Sequence, residues 1–241
     1  MDLLIVEDLV KYFGGLYAVD HLSFSASIGE VVGLIGPNGA GKTTVFNLIT
    51  GTYPPDQGRI VYKGENISGL KPHVTCRKGI GRTFQITKPF GSLRVIDNVL
   101  IACYPKSQTK KEAQQKAEGL LRFVGLYEKQ EVLAKHLTLV ERKLLEIARA
   151  LASEPTLLLL DEAMAGLNEK EVNDAICLIN KIADNKIGIL VIEHIFKVIT
   201  KITNRVIVLD RGKKIAEGDA ENVMNDENVI KAYFGEDYAF A

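Results

Sequence analysis

VVGLI-GPNGAGKTT-VFNLITG, residues 31–51, sets the architecture of the chain. Val31 to Ile35 contain no polar side chain, the pattern of a strand buried on both faces. Gly36, Pro37, Asn38, Gly39, Ala40, Gly41, Lys42 and Thr43 then fill GxxxxGK(S/T) at every fixed position. TTVFNLIT, residues 43–50, reads as a short helix stopped by Gly51. Glycines let successive backbone N–H groups surround an anion where a Cβ would intrude. The N-terminus of the following helix adds free donors and a favourable dipole. Lys42 would reach the β- and γ-phosphates of a nucleotide, and the Thr43 hydroxyl would serve Mg²⁺. A buried strand before the turn and a helix after it are the context this motif requires.

A second apolar run, Leu157–Leu160, ends in Asp161 and Glu162. A buried strand would deliver both acids to one edge of a sheet. Asp161 suits magnesium held through water, and Glu162, on the opposite face, suits polarising an attacking water. Residues 187–192 and 205–210 are further buried-strand candidates. Residues 3–10 and 16–24 read as a hairpin turning at Gly14-Gly15, and 59–62 as another strand. Helical spacing appears at 95–102, at Ala113, Ala117, Leu120, Leu121 and Val124, and at 141–152. Val172, Ile176, Ile179 and Ala183 mark one more helix face, with Asn168 and Glu171 as its capping box. This alternation predicts an α/β domain with a largely parallel sheet. The N-terminal antiparallel strands would form a β subdomain beside it. One domain, 1–241, is expected: an α/β core from 1–87 and 151–241, and an inserted helical lobe at 88–150.

Composition narrows the function. The chain has 241 residues, 46% hydrophobic, with 30 basic and 30 acidic side chains. Zero net charge gives no electrostatic footprint for nucleic acid. No apolar run approaches the ~18 residues of a membrane span. Acids near the N-terminus argue against a secretory signal, so a cytosolic chain is expected. Cys76, Cys103 and Cys177 are too scattered for a disulfide framework or a metal knuckle and fit reduced thiols.

GPNGAGKTT (36–44), RTFQ (82–85), LEIARAL (145–151), LLLLDE (157–162), VIEH (191–194) and VLDRGKKIAEG (208–218) form an ordered set. In that order they resemble the nucleotide-binding subunits of ABC transporters. RTFQ followed by PFGSLRVIDNVL (89–100) is most similar to the ATPase subunits of branched-chain amino-acid importers. The likeness runs from KYFGGLYAVD (11–20) to VIKAYFGED (229–237). It implies a RecA-like P-loop NTPase core of ABC ATPase architecture and Mg²⁺-dependent ATP hydrolysis that drives transport. Phe13 would stack on adenine, with Tyr12 as the alternative. Gln85 would touch magnesium and the attacking water, joining Thr43 and Asp161 around the metal. His194 would contact the γ-phosphate. The resemblance also implies head-to-tail pairing with a second ATPase subunit, identical or different. Transmembrane permease subunits at the cytoplasmic face of the membrane, and indirectly a substrate-binding protein, complete the expected partners. An ATPase of lipopolysaccharide export and a low-turnover nucleotide switch are the alternatives. ABC-type ATPases of DNA repair or translation fit poorly, since no heptad run or basic surface is present.

The sequence departs from that pattern in three places. Where LSGGQ is usual, it reads Leu137-Thr138-Leu139-Val140-Glu141, and both glycines are gone. Thr138 keeps a hydroxyl and forms a capping box with Glu141, while Val140 brings a β-branched side chain to the contact with the partner's phosphate. Ala163 stands where proline is common, and Asn168 where aspartate is customary. Two readings follow: a variant signature that works through backbone N–H groups, or a weakened site in a heterodimer whose sister subunit accelerates hydrolysis. Pro89, Phe90 and Leu93 either form an apolar docking cluster for a permease helix or anchor the helical lobe.

Overall fold

The computed structural model describes residues 2–234. A six-stranded sheet forms its centre. Its strands, in chain order, are β3 (Val31–Ile35), β6 (Ile80–Arg82), β7 (Leu157–Asp161), β8 (Gly188–Ile192), β9 (Arg205–Asp210) and β10 (Lys213–Gly218). The spatial order is β10-β9-β3-β8-β7-β6, parallel except for the antiparallel edge strand β10. A four-stranded antiparallel sheet lies beside it, from β1 (Asp2–Phe13), β2 (Leu16–Ser27), β4 (Gln57–Tyr62) and β5 (Glu65–Asn66), ordered β2-β1-β4-β5.

Helix α1 (Lys42–Ile49) fills the space between the sheets. Its Val45, Phe46, Leu48 and Ile49 share one core with Leu4, Leu34, Ile60 and Tyr62. The other face of the large sheet is covered by α3 (Val95–Cys103), α4 (Lys110–Phe123), α5 (Leu139–Leu151), α6 (Glu169–Asp184) and α7 (Phe196–Ile202). The four leucines of β7 alternate between these cores: Leu157 and Leu159 face α1, Leu158 and Leu160 face the helices opposite. All four are fully buried, each contributing about 1.5–3 kcal/mol by removal from water. This two-sided burial is why the run shows no polar alternation.

Several elements lie outside the sequence expectation. β6 is three residues of a glycine-broken stretch, Gly79-Ile80-Gly81-Arg82, and only its pairing with β7 makes it a strand. β10 is too polar to read as buried because it is the exposed edge of its sheet. α2 (Pro72–Lys78), α8 (Ala220–Met224) and α9 (Glu227–Phe234) are helices of at most eight residues, too short for their spacing to announce them. α5 begins at Leu139, directly after the Thr138 cap that the sequence offers, although the apolar period starts only at 141. Among the described residues no helix is long and apolar enough to cross a membrane. All three cysteines are free, Cys103 buried and the other two exposed. The last residues of VIKAYFGED (235–237) lie outside the described part.

Candidate functional site

The glycine-rich loop joins β3 to α1 and wraps in the manner its composition requires. Gly36 has φ +144° and Gly41 φ +103°, and a Cβ at these positions would lie 2.1 Å from the Leu209 carbonyl oxygen and 2.2 Å from that of Ala18. Only glycine fits both the backbone and the space. The loop is braced from outside by the Gly212 N–H donating to the Ala40 carbonyl at 3.0 Å. Lys42 is buried, and its Nζ donates to the carbonyls of Gly36 (2.7 Å) and Pro37 (2.8 Å) across the loop's own mouth. Burial pulls the Lys42 ammonium below its usual range, while the charges of Glu162 and Asp161 oppose that pull. Those two acids therefore act on the same space as Lys42. Thr43 and Asn38 are exposed beside the loop, and Thr44 is half-buried.

Asp161 closes β7 with its backbone N–H donating to Thr83 Oγ1 (3.1 Å) and its Oδ2 accepting from Arg82 Nη2 (3.1 Å). Burial pushes its carboxyl upward, against the hydrogen bond and charge of Arg82. Arg82 was not singled out as a site residue by the sequence. It bonds Asn47 Oδ1 at 2.6 Å, stacks over Phe46 and Phe84, and leaves its Nε without a partner among the described residues. Only its place at the start of RTFQ could have drawn attention to it.

Glu162 has a left-handed backbone, φ +50°. Its Oε2 accepts from Gln85 Nε2 at 2.8 Å and its Oε1 meets His194 Nε2 at 2.7 Å. An ionised carboxylate only accepts, so that histidine nitrogen carries the hydrogen. The fold thus brings Glu162, Gln85 and His194 together from three elements, with Lys42 and Asp161 beside them. Gln85 spends its amide on Glu162, and no hydrogen bond joins it to Asp161 among the described residues. The residues fit a magnesium ion: neither Asp161 Oδ1 nor the Thr43 hydroxyl has a protein partner among the described hydrogen bonds.

At the hairpin tip Phe13 and Tyr12 point to opposite faces of β1. Phe13 meets Tyr53 edge-on with centroids 5.3 Å apart, and Tyr12 leans on Tyr17 at 6.0 Å. Both are half exposed. Thr138, Val140 and Glu141 stand apart, at the start of α5. Thr138 Oγ1 accepts from the Glu141 N–H (3.3 Å) and Glu141 Oε2 from the Thr138 N–H (2.9 Å). Burial works against ionisation of Glu141, but Lys129 and the Thr138 amide hold its carboxyl below the ordinary range. Among the described hydrogen bonds none links these residues to the 36–44 loop of the same chain. An open groove of about 1020 Å³ runs from Thr43 and Asp161 past Gln85 to Phe84, Ile86, Ala102 and Arg149.

Comparison with known proteins places this geometry. Residues 19–165 match the ABC transporter family, and residues 213–239 match the branched-chain amino acid ATP-binding cassette transporter family. The high-affinity branched-chain amino acid transport ATP-binding protein BraF of Pseudomonas aeruginosa is 38% identical, over 97% of this chain and 98% of its own. The lipopolysaccharide export system ATP-binding protein LptB of Haemophilus influenzae is 36% identical over 99% of both chains. A crystal structure of the ADP conformation of an ATP-binding cassette of an ABC transporter superposes with a TM-score of 0.89, at 32% identity, over 98% of this chain and all of that one. A glycine-rich loop between strand and helix, a strand-end acid pair and a glutamine and histidine converging on one carboxylate, found in a chain of this likeness, mark it as a member of the ABC transporter family: it is an ATP-binding, ATP-hydrolysing transporter subunit.

Proposed function

We propose that this chain hydrolyses Mg-ATP at the site between Lys42 and Glu162 to power import of branched-chain amino acids. The observation that carries the hydrolytic part is the Glu162 carboxylate, fixed between Gln85 and His194 in the charge field of Lys42 and Asp161. The loop amides and Lys42 hold the β- and γ-phosphates; Lys42 exchanges its two loop carbonyls for phosphate oxygens. Asp161, through water, and Thr43 would hold magnesium, which when bound would withdraw charge from the phosphate oxygens. Glu162 orients water for in-line attack and accepts its proton. His194 turns its Nε2–H from Glu162 to the γ-phosphate, which frees Oε1 for the water's proton, and Gln85 follows the bound nucleotide. Phe13 carries the adenine, a contact worth about 1–3 kcal/mol.

The amides of Leu139 and Val140 have no acceptor among the described hydrogen bonds, because the capping box uses the donors of Thr138 and Glu141. They are the backbone donors left for a partner subunit's γ-phosphate. Leu139 and Val140 crowd that contact, which supports pairing with a different ATPase subunit that supplies a glycine-containing signature. A permease helix occupies the groove beside Phe84 and Ile86, which are both strongly exposed. Phe90 rests on Arg149, 5.0 Å from its guanidinium carbon, and its N–H donates to Asn98 Oδ1 at 2.8 Å, so it anchors the lobe as well as lining the surface. The chain thereby works at the cytoplasmic face of a membrane.

The test of hydrolysis is phosphate release by Glu162→Gln. Turnover falls by about 100-fold or more while ATP binding persists, as expected on loss of a general base. Wild-type turnover in that variant would overturn the reading. Substrate is read from the membrane subunits that co-purify with the chain. Two distinct permeases with a second ATPase support amino-acid import, and lipopolysaccharide-export partners support the alternative.

A further inference from the structure

Two buried charged side chains beneath the Glu162 turn have no part in the chemistry above. Lys143 on α5 is 8% exposed, and Glu193, just after β8, is 2% exposed. Lys143 Nζ donates to the carbonyls of Glu162 (3.0 Å) and Ala165 (2.6 Å). Glu193 Oε1 accepts the Met164 N–H at 2.7 Å. The Glu162 N–H donates to the Ile192 carbonyl (2.9 Å), and the Ala165 N–H turns back to the Glu162 carbonyl (3.3 Å). The turn 162–165 is therefore held from α5 on one side and from the end of β8 on the other.

Such a grip has a purpose at Glu162. A left-handed backbone at a non-glycine residue is strained and persists only where the surroundings over-determine it. Keeping charges there is itself unfavourable: burial pulls the Lys143 ammonium down and pushes the Glu193 carboxyl up, and each charge partly offsets the other's burial. A turn that needed only packing would not require them.

We propose that Lys143 and Glu193 are positioning residues that hold the 162–165 turn so that the Glu162 carboxylate stays between Gln85 and His194. The inference rests on the reading of Glu162 as the water-activating group. An apolar side chain at 143 takes away the donor that ties the Glu162 and Ala165 carbonyls to α5, leaving the Glu162 carbonyl only the Ala165 N–H, and one at 193 leaves the buried Met164 N–H without an acceptor. The turn then relaxes and the carboxylate shifts. A displacement of about 1 Å can slow chemistry by about 100-fold.

The experiment is single-turnover phosphate release from Mg-ATP by the purified full-length chain, protein in excess. Titration with a fluorescent ATP analogue and a thermal melt accompany it. Lys143→Met and Glu193→Leu slow release by about tenfold to 100-fold, with analogue affinity within about twofold of wild type. Lys143→Arg keeps N–H donors for both carbonyls, and Glu193→Gln keeps an acceptor for Met164. Both recover release to within about threefold of wild type. Should Lys143→Met fail to fold, the Glu193 pair decides alone. Wild-type release in the apolar variants, equal slowing in the conservative ones, or affinity falling in step with release would each overturn the proposal. Slow Glu162→Gln with fast Lys143→Met sinks only this inference, whereas fast Glu162→Gln sinks the reading beneath it.

Discussion

Gly36 shows how little freedom single residues have around the phosphate loop. An alanine there would place its Cβ 2.1 Å from the Leu209 carbonyl oxygen, a backbone atom that cannot swing aside. Gly36→Ala should cost about 2–3 kcal/mol and lower the melting temperature by roughly 5–10 °C. A thermal scan checks this, and an unchanged midpoint would contradict the close approach. Lys42→Met removes the buried ammonium and leaves the Gly36 and Pro37 carbonyls unpaired. It should abolish measurable binding of ATP up to millimolar concentration, read by equilibrium titration. The residues behind both predictions were legible in the sequence, because GPNGAGKT is contiguous and each position has a local reason. Arg82 was not legible in the same way. Its ion pair with Asp161 joins positions 79 apart, and nothing local to Arg82 announces that a three-residue strand will carry it there.

At the scale of elements, α5 begins on a two-way cap. Thr138→Ala removes the hydroxyl that satisfies the Glu141 N–H and should cost about 1 kcal/mol, with Thr138→Ser close to wild type. Thermal or urea unfolding of the two variants separates them. This helix was visible from its apolar spacing and its cap, yet nothing in the residues around Lys143 marks its charge as buried. Only the tertiary position of the 162–165 turn reveals that it is buried. The same limit hid β6 and β10. Strands are recognised by apolar runs or alternation, and an edge strand with glycines or lysines has neither. The interior strands β3, β7 and β8 were readable because both of their faces are covered.

For the whole molecule, stability should depend on pH in an unusual sense. Burial pushes the carboxyls of Asp161, Glu146 and Glu193 above their ordinary range. Raised in the folded state, they bind protons more readily there than in the unfolded chain, so their contribution is complete below the unfolded value near 4 and is lost as pH rises through the folded values. Asp97, Glu112 and Glu141 are held low by their partners and act oppositely, losing their contribution as pH falls below about 4. The melting temperature should therefore gain a component that rises as pH is lowered from neutrality toward the unfolded value near 4, and Glu146→Gln should flatten that rise. A variant profile parallel to that of the wild type over this interval would refute it. At the level of assembly, the crowded Leu139-Val140 contact predicts slow hydrolysis by the chain alone and faster hydrolysis with a sister subunit. Equal turnover in both preparations would count against a heterodimer. The pairing surface and the transported molecule have no counterpart inside one chain, which is why the sequence speaks of them only through resemblance.

The leucines of β7 carry one last implication. Four identical side chains with apolar surroundings on both faces give that strand no hydrophobic preference for one alignment over its neighbour. A slip by a single residue would move Asp161 and Glu162 together along the sheet edge, one place away from the partners that hold each of them. The polar fastenings at the strand's end forbid it: Thr83 on the Asp161 amide, Arg82 on its carboxylate and the Ile192 carbonyl on the Glu162 amide. Oil makes this strand stable, and a few hydrogen bonds tell it where to stop.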